Sequence, residues 1–199
     1  MPSSFYRRTL PHWDVAGATY FSTMCLEGSA PARRWQPPHQ AAHGRQLHSP
    51  RASPGRIFAD YDKLLDMSPA VRWLEDSQLA RLIAHSLHWG EGSRYELLAY
   101  VVMPSHIHWV FTPLATAGNL AVSQRLAITS AFKSHTALSC NRLLGRRGRF
   151  WQEESYDRVV RNLHELEGIV RYVEHNPVRA GLCARAEDWE FSSACRRGE

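Results

Sequence analysis

Lysine is nearly missing from this chain. It occurs only at positions 63 and 133, although Lys and Arg together number 24, so arginine carries almost all of the positive charge. Arginine grips phosphate with two parallel hydrogen bonds and stacks on bases, which suits a nucleic-acid partner. The same bias suits a GC-rich coding genome. The formal net charge of +5 leans toward a polyanion as well. Paired cysteines are missing too: Cys25, Cys140, Cys183 and Cys195 contain no C-x-x-C, which leaves a zinc ribbon or a dithiol redox motif without support. Scattered single cysteines fit a reducing cytosol. No window approaches 18 uninterrupted apolar residues and no apolar targeting segment opens the chain, so a soluble, cytoplasmic protein with no membrane partner is expected. Residues 28–56 have no acidic residue at all; they hold five prolines and five arginines. Such a stretch buries too little apolar surface to offset its ordering entropy and is expected to be a mobile basic loop.

What remains is enough for one domain over residues 1–199, with 44% apolar residues to build its core. Residues 18–26 (ATYFSTMCL) are aromatic and β-branched and predict a strand. Residues 77–89 have helical apolar spacing, with Ser77 as the expected N-cap. Residues 95–102 and 106–111 predict two strands around a Met103-Pro104-Ser105 turn. A long helix is expected over 119–144, with Leu120, Ile128, Phe132, Leu138 and Leu143 as its apolar line, then a short strand within 151–160. Asn162 is placed to cap a last helix, with Glu165 completing a capping box. The order β-α-β-β-α-β-α predicts an α+β fold: a ferredoxin-like split βαβ antiparallel sheet with helices packed on one face.

Two patterns carry chemistry. In the strand at 106–111, alternate residues share a face. Ile107, Trp109 and Phe111 belong on the core, which turns His106 and His108 together toward the other side, where both imidazoles can meet one metal ion. In the last helix, Leu163, Leu166, Ile169, Val170 and Val173 form an apolar stripe. Tyr172 and Asn176 flank it, four residues apart, before Pro177 stops the helix. Each feature has a plainer meaning: a pair of hydrogen-bonding histidines, a tyrosine at the edge of the core, and an asparagine at a helix end.

The segments themselves resemble a known family. Residues 99–111 (AYVVMPSHIHWVF) resemble the HUH motif of the IS200-like, single-tyrosine transposases. Residues 150–161 (FWQEESYDRVVR), 171–182 (RYVEHNPVRAGL) and 188–194 (DWEFSSA) resemble further blocks of the subgroup called REP-associated tyrosine transposases. The four blocks run in the same order over most of residues 95–194. Small departures are Pro104-Ser105, where many members have Pro-Asn, and Asp157-Arg158, where many have Asp-His. The resemblance implies an HUH-endonuclease type of fold, with His106, His108 and Asn176 as ligands of a divalent metal, Mg²⁺ or Mn²⁺, and Tyr172 as the catalytic nucleophile. It also implies cleavage and rejoining of single-stranded DNA, in the form of hairpins with short flanks, by a 5′-phosphotyrosine route, and a protein that joins the nucleoid when bound to DNA as a monomer or homodimer. Candidate DNA contacts are the basic turn Arg146, Arg147 and Arg149, the neighbouring Trp151, Arg125 and Lys133 on the preceding helix, and an N-terminal arm with Tyr6, Arg7 and Arg8. Two rival readings stay open: a non-catalytic single-strand binder that stacks bases on its sheet, and a metal-dependent phosphodiester hydrolase that uses water.

Overall fold

The alternation along residues 106–111 creates two unlike faces, and the rest of the chain is arranged around them. The computed structural model describes residues 3–7, 11–15, 17–29, 71–114 and 124–197. The strands are β1 Ser3–Arg7, β2 Pro11–Val15, β3 Tyr20–Cys25, β4 Tyr95–Val102, β5 His106–Pro113 and β6 Tyr156–Val159. The α-helices are α1 Ser77–Trp89, α2 Gln124–Leu143, α3 Leu163–Glu174, α4 Asn176–Arg179 and α5 Ser193–Arg197. β4, β5, β3 and β6 lie side by side in that order, every pair antiparallel. β5 thus sits between β3 and β4, the split βαβ arrangement that the sequence order predicts. The mobile-loop expectation for 28–56 falls almost wholly outside the described residues.

Ile107, Trp109 and Phe111 are fully buried under α1 and α2, against Ile83, Leu87 and Phe132. The buried line of α2 is not quite the expected one. Ile128 and Phe132 are inside, but the line continues through Thr136 and Cys140, while Leu138 and Leu143 are exposed. A repeat of four keeps 128, 132, 136 and 140 on one face, and 138 and 143 rotate off it. Leu120 lies outside the described residues. The N-cap of α1 is Asp76, whose carboxylate accepts from Gln78 N–H at 2.8 Å, one residue ahead of the Ser77 expected.

The structure adds a helix to the face expected to be bare. Phe21, Ala99, Val101 and Val110 make the histidine face apolar too, and α3 covers it with Ile169 and Val173. Leu163, expected in that stripe, projects from the first turn and is exposed. Asn162 caps α3 by accepting from Glu165 N–H at 2.9 Å. The reciprocal half of the box slips one residue, since the Glu165 carboxylate accepts from Arg161 N–H at 2.9 Å.

Two further pieces close the fold. β1 and β2 form a separate hairpin that the sequence does not announce. The Tyr20 hydroxyl ties it to the sheet, accepting from Val15 N–H at 2.7 Å and donating to Val15 O at 2.9 Å. At the far edge, the last block of the chain covers β4. Val102 N–H donates to Phe191 O at 2.8 Å, the Trp189 indole donates to Val102 O at 3.0 Å, and Ser193 Oγ meets both Tyr100 N–H and Tyr100 O. An edge strand with its hydrogen-bonding groups engaged is poorly available to another chain.

Candidate active site

His106 and His108 lie on one side of β5, both wholly buried, their ring centroids 4.7 Å apart. Strand register supplies their supports. β3 pairs with β5 so that Thr23 stands opposite His108, and Thr23 Oγ1 is 2.8 Å from His108 Nδ1. Ser105 Oγ is 3.0 Å from His106 Nδ1. With Nδ1–H donating to a hydroxyl, Nε2 carries the lone pair of each ring, which is the tautomer a metal needs. The Phe21 ring stacks on His108 at 5.4 Å and fixes its plane. Spacing alone did not single out Thr23 or Phe21. The signal was there in the alternation of residues 18–26, but it needs the β3–β5 register to be read.

Tyr172 comes down from α3 onto this pair. Its ring centroid is 5.9 Å from that of His108 and 6.2 Å from that of Phe21, edge to face. Its opposite surroundings are charged: Arg179 Cζ, on α4, lies 4.9 Å from the Tyr172 ring centroid. Asn176 is 2% exposed. It does not end the helix that carries Tyr172, as the spacing suggested. α3 stops at Glu174, and Asn176 opens α4 with Pro177 in its first turn. The chain stays close to helical through the junction, with His175 N–H donating to Arg171 O at 3.0 Å.

A second phenol shares the histidine face. Tyr156 stands across β3 from His108, opposite Thr23. Burial pushes its phenol up, against the opposing pull of Arg158, which bonds to it. Arg158 also pairs with Glu165 of α3. That pair fastens the first turn of α3 to β6.

The donor set suits a hard or borderline divalent cation only with help from a neutral oxygen. Among the described residues no three His, Cys, Asp or Glu side chains come together as a metal cluster. Two imidazoles on one strand can supply two ligands, and among the described residues the third would be an amide, hydroxyl or phenol oxygen. Asn176 is of that kind.

Several candidate DNA contacts turn out to hold the fold together. Arg125 is 2% exposed and ion-paired with Asp157, whose other oxygen accepts from Ser22 Oγ at 2.6 Å. Breaking such a buried pair costs about 3–5 kcal/mol, so Arg125 belongs to the core. Trp151 is buried, and its indole N–H donates to Thr136 Oγ1 at 2.9 Å. Lys133 is half-buried and donates to the carbonyls of Gln152 and Glu153 at 2.9 and 3.1 Å; burial pulls its amine down to about 8. Arg146 donates to Asn141 Oδ1 and Arg149 O at 3.1 Å each and lies over the Trp73 ring at 3.9 Å, so it staples its own turn. Arg147 is exposed, as is Arg149, whose contact with Glu153 is a loose 3.6 Å. Tyr6 and Arg7 belong to β1, with side chains outside the described set, and Arg8 lies outside the described residues altogether.

No family model matches the chain. Two curated relatives do. One, from Haemophilus influenzae (strain ATCC 51907 / DSM 11121 / KW20 / Rd), is called a putative REP-associated tyrosine transposase and is 27% identical over 105 residues, half of this chain and 58% of the relative. The other, a REP-associated tyrosine transposase of Escherichia coli (strain K12), is 27% identical over 99 residues, half of this chain and 54% of the relative. The match therefore spans a little over half the length of each relative. A solved structure, of a REP-associated tyrosine transposase bound to a REP hairpin, shares the fold over 97% of this chain and 84% of its own, with a TM-score of 0.52 and 21% identity.

Proposed function

We propose that this chain, which belongs to the REP-associated tyrosine transposase family, cleaves and rejoins single-stranded DNA beside a hairpin through a covalent bond to Tyr172. The observation that carries the proposal is the meeting of the half-buried Tyr172 with the buried His106–His108 pair, brought together from different elements. The structure of a relative bound to a REP hairpin supports hairpin DNA as the substrate, and the short single-stranded flanks are what the family resemblance implies.

In this reading the Tyr172 oxygen attacks a backbone phosphorus. The new Oη–P bond forms as the P–O3′ bond breaks, the phenol gives up its proton and the departing strand end leaves as a 3′-hydroxyl. The phosphotyrosine conserves the bond energy, so the reverse attack by a 3′-hydroxyl rejoins DNA without ATP. A phenol with a pKa near 10 is a poor nucleophile at neutral pH, so the surroundings have to favour its charged form and the charge building on phosphate. A divalent cation, Mg²⁺ or Mn²⁺, held by His106, His108 and Asn176 would supply positive charge against the phosphate oxygens. The chain's own groups do the positioning. Thr23 and Ser105 set the two imidazoles, Phe21 holds the ring of His108, and Arg179 steadies the exposed side of the Tyr172 ring. Arg147 and Arg149, both exposed, would meet phosphates, and Arg7 and Arg8 would add an N-terminal arm. Among the described residues no helix is long and apolar enough to cross a membrane.

Covered sheet faces argue against the base-stacking alternative: α1 and α2 lie on one side and α3 on the other. A labelled hairpin oligonucleotide with single-stranded flanks decides the matter. Wild type should leave a protein–DNA adduct on a denaturing gel, and Tyr172→Phe should bind DNA but leave none. An adduct from Tyr172→Phe, or cleavage by wild type that leaves water-hydrolysed ends and no adduct, overturns the proposal.

A further inference from the structure

A cavity of about 470 Å³ opens on the side of the sheet away from the histidines, between α1, α2 and the turn that follows α1. Its size is that of a small-molecule pocket rather than a packing defect. Trp89, at the end of α1, forms part of its wall and is 69% exposed, far more than a large aromatic normally is. The exposure is built in. Gly90 ends α1, and a Cβ there would come within 2.4 Å of Tyr95 Cε1, so only glycine allows Tyr95 to tuck under the helix end. The Tyr95 hydroxyl locks that position by donating to Leu87 O at 2.6 Å. The tight return of the chain, with Arg94 N–H donating to Gly90 O at 2.8 Å, then lays the Arg94 guanidinium 4.5 Å from the Trp89 ring centroid.

The lining is aromatic on one side and hydrogen-bond-donating on the other. Trp89 and Phe132 offer flat apolar surface; Arg94, His85 and His135 offer N–H groups, all three on exposed residues. Among the described residues no carboxylate lines the cavity. Glu91, in the same turn, is turned to His88 Nδ1 at 2.7 Å. A flat ring attached to an anion is the ligand such a wall fits: the ring stacks beside Trp89 and the anion takes the guanidinium and imidazole N–H groups.

We infer that this cavity is a second nucleic-acid site, which takes one nucleotide unit of a single DNA strand, base against Trp89 and phosphate at Arg94. The choice of a DNA strand over a free nucleotide rests on the proposed function; the fit of a base with a phosphate does not. The site lies outside the machinery of Tyr172 and would hold the strand on the far side of the sheet during cleavage.

The test uses fluorescein-labelled oligothymidylate, an abasic strand of the same length and free thymidine monophosphate, with wild type, Trp89→Ala, Arg94→Gln and, as a surface control, Leu163→Ala. Wild type should bind oligothymidylate more tightly than the abasic strand. Trp89→Ala should lose about 10-fold toward oligothymidylate and nothing toward the abasic strand, as loss of one stacked base does. Arg94→Gln should weaken both and lower the salt slope by about one. Leu163→Ala should match wild type, and unchanged thermal melting shows that Trp89→Ala is folded. A 5-iodouracil strand should crosslink to the peptide that contains Trp89. Wild-type affinity in Trp89→Ala, equal binding of the two strands by wild type, tighter binding of thymidine monophosphate than of the strand, or crosslinks confined to the histidine face each overturn the inference. Adduct formation at Tyr172, read in the same samples, is independent of it: Trp89→Ala that still forms the adduct with unchanged strand affinity removes the pocket and leaves the proposed function standing.

Discussion

Replacing Thr23 by valine is the sharpest probe of the proposed metal site, because it changes one hydroxyl and little else. Thr23 is almost wholly buried in the middle of β3, and its Oγ1 lies 2.8 Å from His108 Nδ1. Valine keeps the volume and the branched shape that a strand favours, so the β3–β5 register should survive. Lost with the hydroxyl is the partner that, in the proposed site, would accept from His108 Nδ1–H and leave Nε2 able to bind a cation. Supports of this kind are worth about 10–100-fold in metal affinity, or about 1.4–2.7 kcal/mol. Stability should fall by less, about 1 kcal/mol for one net hydrogen bond, which for a domain of this size moves the melting temperature by about 2–4 °C. Calorimetric titration with Mn²⁺ and thermal denaturation on the same preparations separate the two. A variant that melts a few degrees lower and binds Mn²⁺ as tightly as wild type would refute the reasoning, since His108 would then not be a ligand that Thr23 orients. Ser105→Ala should behave in parallel through His106, whose Nδ1 is 3.0 Å from the Ser105 hydroxyl.

Other expectations follow from the same geometry. Asn176→Gln should keep part of the adduct-forming activity, whereas Asn176→Leu should lose most of it and about 10-fold or more in Mn²⁺ affinity; a drop in stability alone, with affinity preserved, would make Asn176 a helix-end residue only. EDTA should abolish adduct formation and added Mg²⁺ or Mn²⁺ should restore it, while His106→Ala or His108→Ala should not be rescued; activity in thoroughly chelated buffer would remove the metal from the scheme. Tyr95→Phe should cost about 1 kcal/mol at neutral pH by removing the bond to Leu87 O. The Tyr95 phenol is pushed by burial from 10.0 up to about 12, so its unfolded form ionises first and the stability held by this proton is lost as the pH rises across that interval. The gap between wild type and Tyr95→Phe in urea unfolding should accordingly narrow in strong alkali, and a constant gap would contradict it.

The parts of the fold that local pattern controls were legible in the chain. Alternation at 106–111 told which side of β5 faces the core, and the order of predicted elements told the sheet. Asn162 declared the start of α3 because capping is a matter of three or four neighbouring residues. What pattern could not tell was which cations are already committed. Arg125 is spoken for by Asp157, 32 residues away, and Lys133 by carbonyls some 20 residues on. A helix with basic residues looks the same in sequence whether they face DNA or a buried partner. The cover on the histidine face was half-visible: Val110, Val101 and Phe21 share the histidines' side of the sheet, and that much apolar surface demands a lid. The hairpin β1–β2 has no turn signature that stands out, and one of its ties to the sheet is the hydroxyl of Tyr20.

One hydroxyl near the end of the chain has more than a local task. Ser193 touches the backbone of Tyr100 on the outer strand and also donates to Glu174, in the last turn of the helix that bears Tyr172, at 2.9 Å. The closing segment is thus a clasp that spans from the rim of the sheet to the helix of Tyr172. Whatever prises that clasp open, whether a protease nicking after Phe191 or a foreign strand competing for β4, loosens the seat of the phenol at the same stroke. Intactness of the last few turns should therefore be monitored alongside activity in every variant, since a preparation trimmed there would mimic a damaged site.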